Sequence, residues 1–218
     1  MELMKSIFIL NEKSKKVILN IIIDTPNKCK LYEINSNGYY QLSKSQTNKQ
    51  KIIFKFWGFK NNEIEKFYKY VVDYIYNAFN IIPNIKTSNQ EEDNSYFIRH
   101  VGKIEQVVYA LIDKYWDYGD QLKFVSELLI NITHAHAFSN GNKRTALLSA
   151  WKVLDFFGLY LKFSGNKETY ISNWEEFMIN ISSWNERKER ETKYSKLNRE
   201  ELIEEVYNVI IKNIWLKL

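Results

Sequence analysis

The chain has 218 residues, 45% apolar and 26% charged, a balance that builds a folded core and excludes disorder as a description of the whole. Its net charge of +5 admits an acidic partner without selecting one, and a slightly basic solvated surface accounts for it equally well. The single cysteine, Cys29, excludes an intrachain disulfide and a cysteine-built metal centre, which fits a reducing cytoplasm.

No run of about 18 apolar residues marks a membrane span, and the apolar run in "MELMKSIFIL" is too short for a signal-peptide core. The first 58 residues hold short runs rich in β-branched and aromatic side chains: "KSIFIL", "KKVILNIIID", "CKLYEI", "GYYQLS" and "KIIFKFWGF". Polar clusters at Asn11 to Lys16, Thr25 to Lys28 and Asn35 to Gly38 separate them, and Asn37-Gly38 is a tight-turn signal. The pattern predicts an N-terminal β-meander of four or five strands.

From residue 61 the period becomes helical. Ile64, Phe67, Tyr68, Val71, Val72, Ile75 and Phe79 share one face, and Pro83 follows the end. Residues 84–95 are polar and aperiodic, which predicts a loop. Ile104, Val107, Val108, Leu111, Ile112 and Tyr115 mark a second amphipathic helix, and Leu122, Val125, Leu128, Leu129 and Ile132 a third. "KRTALLSAWKVLDFFG" is apolar on most sides, which predicts a buried central helix stopped at Gly158. Two more helices close the chain, one carrying Trp174, Phe177, Met178 and Ile181, the other opened by Asn198 and Glu201 as a capping box. The charged run "NERKERETKYSK" between them reads as a solvated helix end or loop.

"HAHAFSNGNKRTALLSA", residues 134–150, joins the third of these helices to the apolar one. The turn falls at Ser139-Asn140-Gly141-Asn142, where Gly and Asn tolerate unusual backbone angles. A helix starting beside Lys143 and Arg144 directs its unpaired first amides and its positive dipole end into that turn, which makes an anion cradle suited to phosphate. His136 lies just upstream, where an imidazole titrating near neutrality is a candidate general base.

"HAFSNGNKR", His136 to Arg144, resembles the Fic/Doc (Fido) motif, His-x-Phe-x-(Asp/Glu)-Gly-Asn-(Gly/Lys)-Arg, and keeps His136, Phe138, Gly141, Asn142, Lys143 and Arg144. The resemblance extends over about residues 60–218 and leaves the first 58 outside. It implies a Fic-type helical bundle at 61–218, which with the small β-rich N-terminal region read above, 1–58, of unknown role, makes a mainly α chain. By resemblance His136 is the base that deprotonates a hydroxyl of a target protein, Phe138 is the anchor of the loop, and Arg144 holds a phosphate. Ser139, Asn140, Gly141, Asn142, Lys143 and Arg144 are then the nucleotide-binding residues, and Ile98 and Arg99, in "NSYFIRHVG", the flap that binds the target segment.

Lys143, where AMP-transferring members usually have Gly, and Leu147, where they have a second Arg, are similar to the Doc (death-on-curing) branch. That branch implies phosphate transfer from ATP with Mg²⁺ to a Ser, Thr or Tyr hydroxyl, with a translation factor as target and a separate antitoxin as partner of a toxin. AMP transfer is the alternative, and a catalytically degenerate Fic-fold binding module is another. The latter is motivated by Asn140, which occupies the position of the family's metal-binding acid; an amide oxygen ligates Mg²⁺ without charge and more weakly. No inhibitory Ser/Thr-x-x-x-Glu-Gly/Asn string is expected. His134, two residues before His136, faces away and reads as a helix-end residue, and His100 as loop surface. Neither a membrane nor nucleic acid is expected as a partner, and the expected location is the cytoplasm.

Overall fold

Helical spacing in the sequence becomes seven helices among the described residues, and the meeting of their apolar faces places the motif loop. The computed structural model describes residues 3–10, 12–24, 30–35, 39–43, 49–56, 61–84, 96–117, 119–161, 167–184 and 192–216. The expected Asn37-Gly38 turn, residues 85–95 of the expected loop and residues 185–191 of the charged run lie outside them.

The N-terminal part consists of β1 (Leu3–Ile9), α1 (Glu12–Asp24), β2 (Lys30–Asn35), β3 (Tyr39–Ser43) and β4 (Lys49–Phe56). Strands β2, β3 and β4 form an antiparallel meander, and β1 lies parallel to β4, with Leu3 opposite Gln50 and Ile9 opposite Phe56. The run "KKVILNIIID", expected as a strand, is instead the body of α1. An unbroken apolar run does not distinguish strand from helix by periodicity. What distinguishes it is tertiary: Ser14 and Ile18, one helical turn apart, are both buried, and Ser14 Oγ accepts from the Gln121 amide at 3.0 Å.

The remaining helices are α2 (Asn61–Ile81), α3 (Val101–Tyr115), α4 (Gln121–His134), α5 (Asn142–Phe156), α6 (Lys167–Ser182) and α7 (Arg199–Asn213). Strands β5 (Leu159–Leu161) and β6 (Ile214–Leu216) pair antiparallel, and a short 3-10 turn at Ile82–Asn84 follows α2. The chain is thus mainly α with a small β-rich N-terminal region. No helix of the described residues is long and apolar enough to cross a membrane.

The predicted helix ends are in place. Asn198 and Glu201 form a reciprocal capping box, with Glu201 N donating to Asn198 Oδ1 at 2.9 Å and Asn198 N to Glu201 Oε2 at 2.8 Å. Gly158 closes α5 at φ 80°, a left-handed angle that favours glycine. The most buried helix, however, is α4 and not α5. Eleven of the fourteen residues of α4 are buried, whereas α5 leaves Lys152 and Asp155 exposed and Leu147 and Trp151 half-buried. The polar letters of α4 concealed this. Ser126 and Thr133 return their hydroxyls to the carbonyls of Leu122 and Leu129 at 2.8 and 2.7 Å, and Glu127 is neutralised by partners on α3 and at the start of α7.

One core serves both parts. Ile7, Ile9, Leu10, Ile18 and Phe54 belong to the same buried cluster as Phe67 of α2 and Phe124 of α4. Gln121, fully buried at the start of α4, fastens them: its Oε1 accepts from Leu10 N at 3.1 Å and its Nε2 donates to Phe8 O at 3.3 Å. Gln121→Ala removes both bonds and is expected to cost about 2–4 kcal/mol, read as a lower urea midpoint at unchanged slope.

Candidate active site

The loop between α4 and α5 is irregular, so its shape must be fixed by side chains and by neighbouring backbone. Phe138 is its buried anchor, 1% exposed and stacked on Phe79 of α2 at 4.2 Å between ring centroids. Asn142 clamps the same residue: its Oδ1 accepts from Phe138 N at 3.1 Å, and its Nδ2 donates to Phe138 O at 2.9 Å. The side chain of Asn142 is therefore spent on the loop, and what it presents to a ligand is its backbone amide at the head of α5.

The segment before α3 lies along this loop as a short antiparallel partner. Ile98 bridges Phe138. Ser139 N donates to Phe97 O at 2.9 Å, Phe97 N donates to Ser139 Oγ at 2.9 Å, and Arg99 N donates to Ala137 O at 2.7 Å. Ile98 and Arg99 thus sit beside the motif, both exposed, with Phe97 exposed between them and the half-buried Tyr96.

His136 has φ 47°, the one non-glycine residue at positive φ among the described residues, and is exposed. That region is sparsely populated by side-chain-bearing residues. It is enforced from both sides. The Ala137 carbonyl accepts from Arg99 N at 2.7 Å and His100 N at 3.2 Å, and Lys103 Nζ donates to Ala135 O at 3.1 Å. His134 is turned away: its Nε2 donates to the carbonyl of Ile181, in the last turn of α6, at 2.8 Å, and its ring meets Trp184 edge-on. His100 is exposed, at the N-cap of α3, and makes no side-chain cap bond there.

Gly141 is the N-cap of α5 at φ 79°, an angle that favours glycine, and a Cβ there would lie 3.2 Å from Ile82 Cγ2, a contact that the isoleucine would have to ease by a few tenths of an ångström. The first bond of α5 runs from Thr145 N to Gly141 O at 2.8 Å, which leaves the amides of Asn142, Lys143 and Arg144 ahead of the ladder. Arg144 donates from Nη2 to the Tyr96 hydroxyl at 2.8 Å, while its Nη1 is buried with no hydrogen-bond partner among the described residues. Lys143 is exposed. The loop itself, 134–148, contains no acidic residue. The arrangement is able to hold an anion by amides, helix dipole and guanidinium.

Asn140 is exposed, and its Oδ1 accepts from Gly141 N at 2.7 Å. The oxygen expected to face a metal is thus turned into the turn. Among the described residues no three His, Cys, Asp or Glu gather into a metal site. The residues present do not by themselves fit a resident Mg²⁺.

Tyr96 and Phe97 escaped the sequence reading. The alternation of exposed and bridging residues in "YFIR" is too short to register as a strand, and no spacing rule links Tyr96 to Arg144, 48 positions away.

Asn142→Ala removes both clamp bonds and leaves the part-buried N–H and C=O of Phe138 without them. The expected loss is about 1–3 kcal/mol, with faster amide hydrogen exchange confined to residues around 136–142 as the local readout.

Against known proteins, residues 58–154, a little under half of the chain, match the model of the Fic/DOC family. No curated protein and no solved structure matches the chain. The matched segment contains α2, α3, α4, the motif loop and most of α5, and the match supports a place for it in the Fic/DOC family and, in the general sense, a Fic-type nucleotide transferase.

Proposed function

We propose that the chain transfers a phosphate group from ATP to a Ser, Thr or Tyr hydroxyl of a target protein, as a Doc-like toxin held in check by a separate antitoxin. The observation that carries the reading is Arg144, whose buried Nη1 lacks an acceptor among the described residues at the head of a helix with three amides ahead of its ladder, eight residues after the exposed His136. A buried guanidinium nitrogen without an acceptor is costly, and a phosphate oxygen is among the acceptors that suit it well. Lys143 and Leu147 favour phosphate over AMP transfer, because they stand where AMP-transferring relatives by resemblance carry Gly and a second Arg.

In this reading His136 takes the proton of the target hydroxyl. The hydroxyl oxygen bonds to the γ-phosphorus, the bond from that phosphorus to the β–γ bridging oxygen breaks, and ADP leaves. Arg144, Lys143 and the amides of 142–144 hold the charge that spreads over the phosphate oxygens, a task of positioning and electrostatics. Mg²⁺ would arrive as the counter-ion of the nucleotide, and the chain's own residues do the rest.

Mass spectrometry of a lysate treated with the protein and ATP tests this directly. The expected product is a gain of one phosphate on a protein hydroxyl; a gain of one AMP would transfer the assignment to the adenylylating branch. His136→Ala is expected to lower transfer by about 10²-fold or more, and unchanged modification would end the enzyme reading.

A degenerate binding module is the second reading, favoured by the turned-in amide of Asn140. Asn140→Asp restores a charged oxygen, and the expected outcome is faster transfer at a lower half-saturating Mg²⁺ concentration. Transfer detectable only in the Asp variant would identify the natural chain as a binder.

A further inference from the structure

We propose that Tyr96 is a positioning residue for Arg144, one that makes the seating of the 96–99 segment a condition for presenting the guanidinium to an anion. The inference rests on the reading of residues 141–144 as the phosphate cradle.

Three contacts converge on the tyrosine. Its hydroxyl accepts from Arg144 Nη2 at 2.8 Å, and the guanidinium carbon lies 5.9 Å from the centre of its ring. The ring packs near Phe79, 6.5 Å between centroids, and Phe79 also stacks on the loop anchor Phe138. A Cβ built on Gly141 would meet Tyr96 Cε1 at 3.5 Å, so the ring lies against the N-cap of α5. Tyr96 therefore touches the cradle at Gly141 and at Arg144, while its next neighbour Phe97 is bonded through its own backbone to Ser139.

The kind of acceptor matters. An arginine side chain has a long flexible stem, and an unheld guanidinium loses much of its affinity to the cost of ordering it. A carboxylate would hold it but would also neutralise it and compete with phosphate. A phenol fixes one nitrogen and leaves the full charge in place. The orientation it enforces directs the other nitrogen, Nη1, to a buried position where the described residues supply no acceptor. A ligand oxygen would supply the acceptor that the described residues do not.

The test is calorimetric titration of ATP with Mg²⁺ into the full chain, with ligand-observed NMR where binding is too weak for calorimetry. Tyr96→Phe keeps the ring on Phe79 and deletes the acceptor. It is expected to weaken ATP about tenfold in the natural background and less than about twofold in an Arg144→Ala background, the signature of a coupled pair. Tighter binding in Tyr96→Phe would mean that the hydroxyl competes with the anion and would overturn the proposal. Equal loss in both backgrounds would reduce the tyrosine to packing and overturn it as well. If Arg144→Ala binds ATP as well as the natural chain, or the natural chain binds none, the cradle reading itself fails; if Arg144→Ala weakens binding and Tyr96→Phe does not, only the role of Tyr96 is lost.

Discussion

The two hydrogen bonds between the Asn142 side chain and the backbone of Phe138 hold together everything that the site requires. A loop that presents an imidazole and a helix start to one ligand has to be irregular, and irregular backbone is ordinarily mobile and exposed. Asn142 resolves the conflict by making the first residue of α5 the acceptor and donor for a residue four positions earlier. The loop is thereby tied to the head of α5. Phe138 carries the same constraint inward through its stack on Phe79, so the turn is fixed to α2 and α5 at once.

The frame behind the loop is held by charge buried under unusual discipline. Glu127, 4% exposed in its side chain, sits on α4 between Lys114 and Tyr115 of α3 and Arg199 of α7. Arg199 also donates to Asn131 Oδ1 at 2.7 Å, which keeps its second obligation on the same helix. Asp120 does the corresponding work at the other end of the α4 ladder, capping Leu122 N at 2.8 Å and accepting from Tyr207 of α7 at 2.5 Å. Burial, and then the bond to its carboxylate partner, pushes both phenols, Tyr115 and Tyr207, well above the ordinary tyrosine range, so both stay donors throughout the neutral range. Buried carboxylates add little net stability when replaced as a set, but each partner removed alone leaves a costly charge. Their effect is to fix the rotation of α4 against α3 and α7, and α4 is the helix that delivers His136.

Sequence periodicity carried the reading where one physical signal dominated. The apolar faces of α2 and α3 and the reciprocal cap of α7 follow from spacing alone, because burial and capping act within a few residues. Local chemistry also located the turn at 139–142 and its glycine. Where tertiary contacts decided, spacing misled. The run at 15–24 is helical because Ser14 and Ile18 find partners in the helical part, a contact about a hundred positions away in the case of Gln121. The burial of α4 was concealed by Ser126, Glu127 and Thr133, whose partners a one-dimensional pattern does not contain. Tyr96 illustrates the limit most clearly, since its bond to Arg144 spans 48 residues.

The positive φ of His136 gathers these constraints at one atom. An unusual backbone angle persists only where its surroundings over-determine it. Here the carbonyl on its N-terminal side, at Ala135, is held by Lys103, and the carbonyl on its C-terminal side, at Ala137, is held by two amides of the 99–100 segment. All three donors come from the residues that open α3, so the same segment that pairs with the motif also sets the angle of the histidine. The reversal separates neighbours sharply: Ala137 and Phe138 are buried, and His136 beside them is exposed. Had the chain continued α4 through residue 136, the imidazole would project from the side of a helix with its backbone already paired. The break turns it outward at the place where the segment 96–99, the loop and the head of α5 meet. The strain at His136 is thus accounted for by these contacts, and its placement at that junction is what gives an otherwise ordinary surface histidine a chemical context.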